Sequence, residues 1–127
     1  GAEDGTLVVD YKTDRLEGTD PAAATAAAYG TQRLVYALAA LRAGAHQVEV
    51  VHLFLEAPDR PVSASFIATD AERLTAELAR RAEPLLAGRF EVTATPQRSI
   101  CAGCPAQGGL CSWPLELTTR SAADRLF

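Results

Sequence analysis

The run Leu7-Val8-Val9-Asp10-Tyr11-Lys12 constrains this chain more than any other stretch, because it is an apolar segment that ends in an acid and a base two residues apart. A strand projects residues i and i+2 to the same side, so Asp10 and Lys12 point together and Tyr11 points away. That sets a carboxylate beside an ammonium at a strand end. One reading is a surface ion pair. The other is a reactive centre: a carboxylate is a hard oxygen ligand for Mg2+ or Mn2+, and a neighbouring cation can orient a water or steady charge developing on phosphorus. The choice of base favours the second. Lys12 is the single lysine, and the other 11 of the 12 basic residues are arginine. A sequence that otherwise writes positive charge as arginine has kept lysine where a compact, rotatable donor differs from a planar fork.

At 127 residues the chain suffices for one domain with a modest core. With 48% hydrophobic and 22% charged residues it reads as globular, neither disordered nor membrane-spanning. The alanine-rich stretch 21–43 contains Tyr29, Gly30, Gln32 and two arginines, and fails as a membrane span. No signal peptide is expected. A net charge of -4 argues against non-specific coating of nucleic acid, though not against an enzyme that grips DNA locally. Three cysteines within eleven residues fit a metal or cluster site better than a secreted disulfide framework, so a cytoplasmic protein is expected. The sequence has no methionine, and Gly1 is expected to mark a cut or a processed end.

Asp4-Gly5 is a hairpin-turn signal that makes Thr6–Lys12 a second strand and places a first strand before Asp4, where only Gly1, Ala2 and Glu3 remain. Residues 13–19 read as loop, with Asp14 and Arg15 facing solvent. Asp20-Pro21 starts a helix that runs toward Gly44, with Gly30 dividing or bending it. Leu34, Leu38 and Leu41 form one stripe, and Gln32 and Tyr36 share a roughly opposite face one turn apart. Such a pair lines a cleft, or else is a solvated glutamine and a half-buried tyrosine. Val48–Leu55 reads as a buried central strand, and Val62–Ala68 as its hairpin partner across the turn 56–61. His52, inside the buried run, reads as a satisfied core histidine, with a metal role the lesser option; His46 falls in a loop. Thr69-Asp70-Ala71-Glu72 is a capping box that opens a further helix, with Leu74, Leu78 and Leu85 along one side and Pro84 and Gly88 ending or kinking it.

The final segment changes character. Cys101, Cys104 and Cys111 stand as C-x2-C-x6-C, with glycines and Pro105 between them and Trp113 just after. Thiolates on a tight C-x2-C turn can hold one metal or one cluster, and soft ligands favour zinc or iron-sulfur. Three ligands leave a four-ligand site one short, so a fourth would come from elsewhere or from a histidine. Free thiols are the alternative. An α/β core over 1–95 and a cysteine-bearing segment over 96–127 are expected.

Taken in order, the strand ending Val8-Val9-Asp10-Tyr11-Lys12-Thr13, the helix carrying Gln32-Arg33-Leu34-Val35-Tyr36, and Cys101-Ala102-Gly103-Cys104 followed by Cys111 and Trp113 resemble the RecB-like branch of the PD-(D/E)XK nuclease superfamily. That branch is found at the C-terminal end of bacterial helicase-nucleases of the RecB, AddB and AdnB kind. The resemblance spans residues 6–113. It implies a restriction-endonuclease-like α/β fold, a mixed sheet of three or four strands flanked by two helices. It implies that Asp10 is the metal-binding acid, Lys12 the catalytic lysine, and Gln32 and Tyr36 the Q-x-x-x-Y pair of the cleft and its contact with DNA. Cys101, Cys104 and Cys111 would be the last three ligands of a four-cysteine 4Fe-4S staple. The family's other acid, on the preceding strand, and its first cysteine are missing, which agrees with a shortened front. Glu3 or Asp4 would replace that acid only in a rebuilt hairpin.

The function so implied is hydrolysis of DNA phosphodiester bonds with Mg2+ or Mn2+, exonuclease-type, within a helicase-nuclease of DNA repair and recombination. Its partners would be single-stranded or unwound DNA and a helicase domain in the same chain or a partner subunit, with no membrane. The 127 residues alone are expected to be inactive, because one carboxylate holds hydrated Mg2+ loosely. A non-catalytic nuclease-like module that binds DNA or scaffolds a helicase is the alternative, although such a module has no reason to keep its single lysine two residues after an acid. A small redox iron-sulfur carrier leaves the acid-lysine strand unexplained.

Overall fold

The computed structural model describes residues 5–121, so the turn and first strand expected around Asp4 lie outside the described residues. The chain divides after Glu83 into two compact units. The first contains β1 (Gly5–Lys12), α1 (Pro21–Ala28), α2 (Gly30–Arg42), β2 (Gln47–Phe54), β3 (Val62–Ile67) and most of α3 (Ala71–Leu86), which a short 3-10 turn precedes. Three strands form one sheet in the order β1-β2-β3. β1 pairs parallel with β2, setting Asp10 against His52 and Lys12 against Phe54. β2 pairs antiparallel with β3, as the sequence predicts for a hairpin. The result is a mixed α/β sheet flanked by helices.

Parallel neighbours cannot be joined by a tight turn, and α1 and α2 supply the crossover. Asp20 starts it: its carboxylate accepts from the backbone N–H of Ala22 at 3.0 Å and of Ala23 at 3.2 Å, with Pro21 in the first turn. The break at Gly30 gives two helices, and Tyr29 is at once the last cap of α1 and the first of α2. Gly44, at φ +105, ends α2 with its N–H on the Leu41 carbonyl at 3.1 Å.

The core forms where the leucine stripe meets the sheet. Leu34, Ala37, Leu38 and Leu41 of α2 pack with Val48 and Val50 of β2 and Leu74 of α3. A second cluster joins Leu16, Phe54 and Ala57, with Ala24 and Tyr29 against it. β2 is the central strand, but it is not buried on both faces: Val48, Val50, His52 and Phe54 are buried, whereas Gln47 and Glu49 are exposed. Alternation rules because α2 covers one face, and the other carries the exposed Leu7, Val9, Tyr11 and Ile67.

Two expectations about α3 change. The reach-back acid is Asp70, which accepts from the Ile67 N–H at 2.9 Å, and Glu72 lies two residues too far along. Of the expected leucine side, Leu74 is buried while Leu85 is 62% exposed. Pro84 lies inside the helix, and Gly88 at φ +70 follows its end, with the Arg89 N–H on the Pro84 carbonyl at 2.8 Å.

The second unit holds two short helices, α4 (Arg98–Cys101) and α5 (Leu115–Thr119). Side chains tie it where ladders are absent. Trp113 Nε1 donates to the Thr93 carbonyl at 2.8 Å, Arg120 Nε to the Pro96 carbonyl at 2.8 Å, and Gln107 Nε2 to Thr118 Oγ1 at 3.0 Å. Among the described residues, no helix is long and apolar enough to cross a membrane.

Leu34→Ala is expected to cost about 2–5 kcal/mol, because it opens a cavity between α2 and the sheet, and Asp20→Ala about 1 kcal/mol through the lost cap. Urea unfolding followed by circular dichroism measures both, and an Asp20→Ala loss larger than that of Leu34→Ala would contradict this account of the core.

Candidate active site

β1 delivers Asp10 and Lys12 to its helix-covered face, where Lys12 Nζ lies 3.2 Å from Asp10 Oδ2. Both side chains are largely enclosed, Lys12 at 11% and Asp10 at 17% exposed. The first turn of α2 lowers Gln32 onto the pair, and Lys12 Nζ donates to Gln32 Oε1 at 2.8 Å. One turn later Tyr36 donates its hydroxyl to Asp10 Oδ2 at 3.1 Å. The four residues singled out in the sequence therefore meet. Gln32 and Tyr36 do not lie opposite the leucine stripe as expected. Tyr36 flanks the core cluster itself, and its length carries the hydroxyl to the strand end.

A fifth residue joins them. The Tyr29 ring lies beneath the ammonium, with Lys12 Nζ 3.7 Å from its centroid. Its hydroxyl donates to Asp14, so Asp14 is exposed yet engaged. Hydrogen bonding to Asp14 raises the Tyr29 phenol above its ordinary pKa, and hydrogen bonding to Asp10 does the same for Tyr36. Both phenols thus remain neutral donors. The signal that could have found Tyr29 is its spacing: Tyr29, Gln32 and Tyr36 stand at i, i+3 and i+7, one helical face.

His52 is fully buried, but it is not the satisfied core histidine that the sequence suggests. Among the described residues, neither ring nitrogen has a hydrogen-bond partner. Its neighbour is the Tyr29 ring, stacked at 5.6 Å between centroids with the planes 19° apart. Burial pushes its pKa down, Lys12 and Arg33 add to that, and Asp10 opposes them, so the imidazole is held neutral.

Asp10 offers a hard carboxylate oxygen and fits as one ligand of a divalent cation. Among the described residues, no group of three or more His, Cys, Asp or Glu side chains is arranged to hold a metal ion. An iron-sulfur cluster at the cysteines is not supported by this arrangement. Cys101, Cys104 and Cys111 line one cavity of about 270 Å³, but Cys101 is buried, Cys104 exposed, and the Cys111 sulfur accepts from the Trp113 N–H at 3.5 Å. All three are free thiols.

An enclosed acid and ammonium at the end of one strand, braced by an amide and a phenol from the following helix, define a centre suited to stabilising charge on a phosphate. A family model for the PD-(D/E)XK nuclease superfamily matches residues 2–111. The chain belongs to that superfamily, and its mixed sheet with flanking helices is the restriction-endonuclease-like α/β fold. Members are generally nucleases and typically use divalent metals. No curated protein and no solved structure matches the chain significantly.

The folded pKa of His52 lies below the ordinary histidine value of 6.5, so on acidification the unfolded chain takes up this proton first. The contribution is complete above pH 6.5 and falls as pH drops from there toward the folded pKa. Urea unfolding at pH 7.5 and at pH 5.5, about one unit either side of that value, should show a loss of stability that is smaller in His52→Leu. Equal losses would mean that the imidazole is not buried neutral. Among the thiols, labelling of the native protein with a chromogenic disulfide should modify Cys104 first and Cys101 last, following their exposure.

Proposed function

We propose that this chain is the nuclease domain of a DNA-hydrolysing enzyme, with Asp10, Lys12, Gln32 and Tyr36 as its working residues. The observation that carries this is the enclosed Lys12 ammonium, 3.2 Å from Asp10 and 2.8 Å from Gln32, in a chain with no other lysine. Asp10 would hold Mg2+ or Mn2+, which when bound supplies a nucleophilic water at neutral pH and polarises the phosphate. Lys12 donates to a phosphoryl oxygen as negative charge grows there, and its enclosure strengthens that contact over the same contact in water. Gln32 accepts one ammonium N–H and fixes the side chain's reach. Tyr36 fixes the carboxylate of Asp10 and bounds the cleft.

The ordered motifs support a finer reading: exonuclease-type cleavage of single-stranded or unwound DNA by a cytoplasmic helicase-nuclease of repair and recombination. The helicase would be a domain of the same chain or a partner subunit. This reading does not depend on an iron-sulfur cluster, since among the described residues no group of three or more His, Cys, Asp or Glu side chains is arranged to hold a metal. One observation favours a second reading, a nuclease-like module that binds DNA or scaffolds a helicase without cutting. Asp10 stands without the further acidic or histidine ligands that would complete a metal site among the described residues.

End-labelled single-stranded DNA with Mn2+ or Mg2+ separates the two, using this chain and a form that carries one further upstream strand. Cleavage that Lys12→Ala reduces by about a hundredfold or more establishes the nuclease, and Lys12→Arg should restore little of it. Silence from both folded, metal-loaded forms leaves the module.

A further inference from the structure

We propose that Tyr29 is a positioning residue for Lys12: the face of its ring carries the lysine ammonium, and His52 stacks against that ring. The proposal rests on the reading of Lys12 as the catalytic cation. The separation of 3.7 Å from Nζ to the ring centroid lies well inside the distance of about 6 Å over which a cation is drawn to an aromatic face.

The ring itself has little freedom. It stacks on His52 and stands 6.4 Å from Phe54 at an interplanar angle of 54°. Its hydroxyl is tied to Asp14, in the loop that follows β1. Its backbone is fixed by both helices of the crossover, accepting from the Arg33 N–H at 2.9 Å and donating to the Thr25 carbonyl at 2.8 Å. His52 fits the same role. A buried imidazole with two unpartnered nitrogens contributes no hydrogen bond, and a polar group is costly to bury that way. What it contributes is a flat face, and that face is spent on Tyr29.

The arrangement matters to the chemistry because of how an ammonium distributes its donors. Of its three N–H groups one is donated to Gln32 Oε1, and Asp10 Oδ2 lies 3.2 Å from Nζ as an ion pair. The ring face lies against the ammonium as well. A π face is a weaker acceptor than an anionic phosphoryl oxygen, so it orients the ammonium while an N–H not given to Gln32 stays open to a phosphoryl oxygen or a water. Tyr29 thereby aims Lys12 without competing with the substrate.

The single lysine makes the test direct. Protein labelled with 13C-lysine gives one set of lysine side-chain signals, and methylene protons held over an aromatic ring move upfield. The shift is expected in the wild type and in Tyr29→Phe, and a return to free-lysine values in Tyr29→Leu. In the DNA cleavage assay, Tyr29→Leu should lower kcat by about ten- to a hundredfold with KM changed by less than about twofold, and Tyr29→Phe should recover most of the loss. His52→Leu should lower kcat in the same direction by less. An unshifted wild-type signal, a signal indifferent to Tyr29→Leu, or an unaltered kcat in folded Tyr29→Leu would each overturn the proposal. Should Tyr29→Leu fail to fold, the wild-type signal and its survival in Tyr29→Phe decide. Cleavage that survives Lys12→Ala beside a shifted Lys12 signal would overturn the catalytic reading of Lys12, and the positioning role with it, while leaving the ring contact as a fact of structure.

Discussion

Everything at this site depends on keeping a carboxylate and an ammonium together where little water reaches them. Taking such charges out of water costs several kcal/mol per ion unless each finds partners of good geometry. The fold meets that demand from two directions. Parallel pairing with β2 fixes the strand that carries Asp10 and Lys12. The crossover then returns α2 over the same face, so that Gln32 and Tyr36 reach the pair. Without the helix the ion pair would lie open at a strand end, worth little in stability or chemistry.

The leucine stripe explains why α2 arrives in the right rotation. Leu34, Leu38 and Leu41 bury against Val48 and Val50, and that contact fixes which residues of the helix can face Asp10. Gln32 and Tyr36 are then the long polar side chains at the flank of the buried arc. Tyr29 packs against the cluster of Leu16, Phe54 and Ala57 and also carries Lys12 over its ring. Core packing and site geometry are therefore coupled through one ring. A substitution there disturbs both, which is why a spectroscopic readout is needed to separate them.

Much of this was legible in the sequence where periodicity and local chemistry agree. The strand ending in Asp10 and Lys12, the aspartate cap at Asp20, the break at Gly30 and the antiparallel partner at Val62–Ile67 all follow from short-range rules. Gln32 and Tyr36 were visible as a pair one turn apart, but their position beside the core was not, since a helical wheel gives angles and not the breadth of the buried arc. Tyr29 sits at the break between helices, so its i, i+3, i+7 spacing with Gln32 and Tyr36 shows only when a wheel is carried across that break. His52 was legible as buried and not as unpartnered, because pairing depends on neighbours distant in sequence. The cysteine spacing suggested convergence, and Cys101, Cys104 and Cys111 line one cavity, but spacing alone does not fix the turns through Gly103 and Gly108 that set how the sulfurs face it.

The structure also accounts for the one place where the chain uses lysine. The cation at this position meets a carboxylate, an amide oxygen and an aromatic face, in three directions about one nitrogen. An ammonium has three N–H groups on a tetrahedral centre, so it can serve Gln32 and lie against Asp10 and Tyr29 while a donor remains for the substrate. A guanidinium is planar and presents its donors as a fork in one plane, suited to pairing with a single carboxylate or phosphate edge. Arginine here could stack on Tyr29 or chelate Asp10, but its plane would have to turn for one and away from the other. Its greater length would also carry the charge past Gln32. The surroundings built by Tyr29, Gln32 and Asp10 are therefore specific for a compact cation, and the choice of lysine at residue 12 follows from the shape of the site.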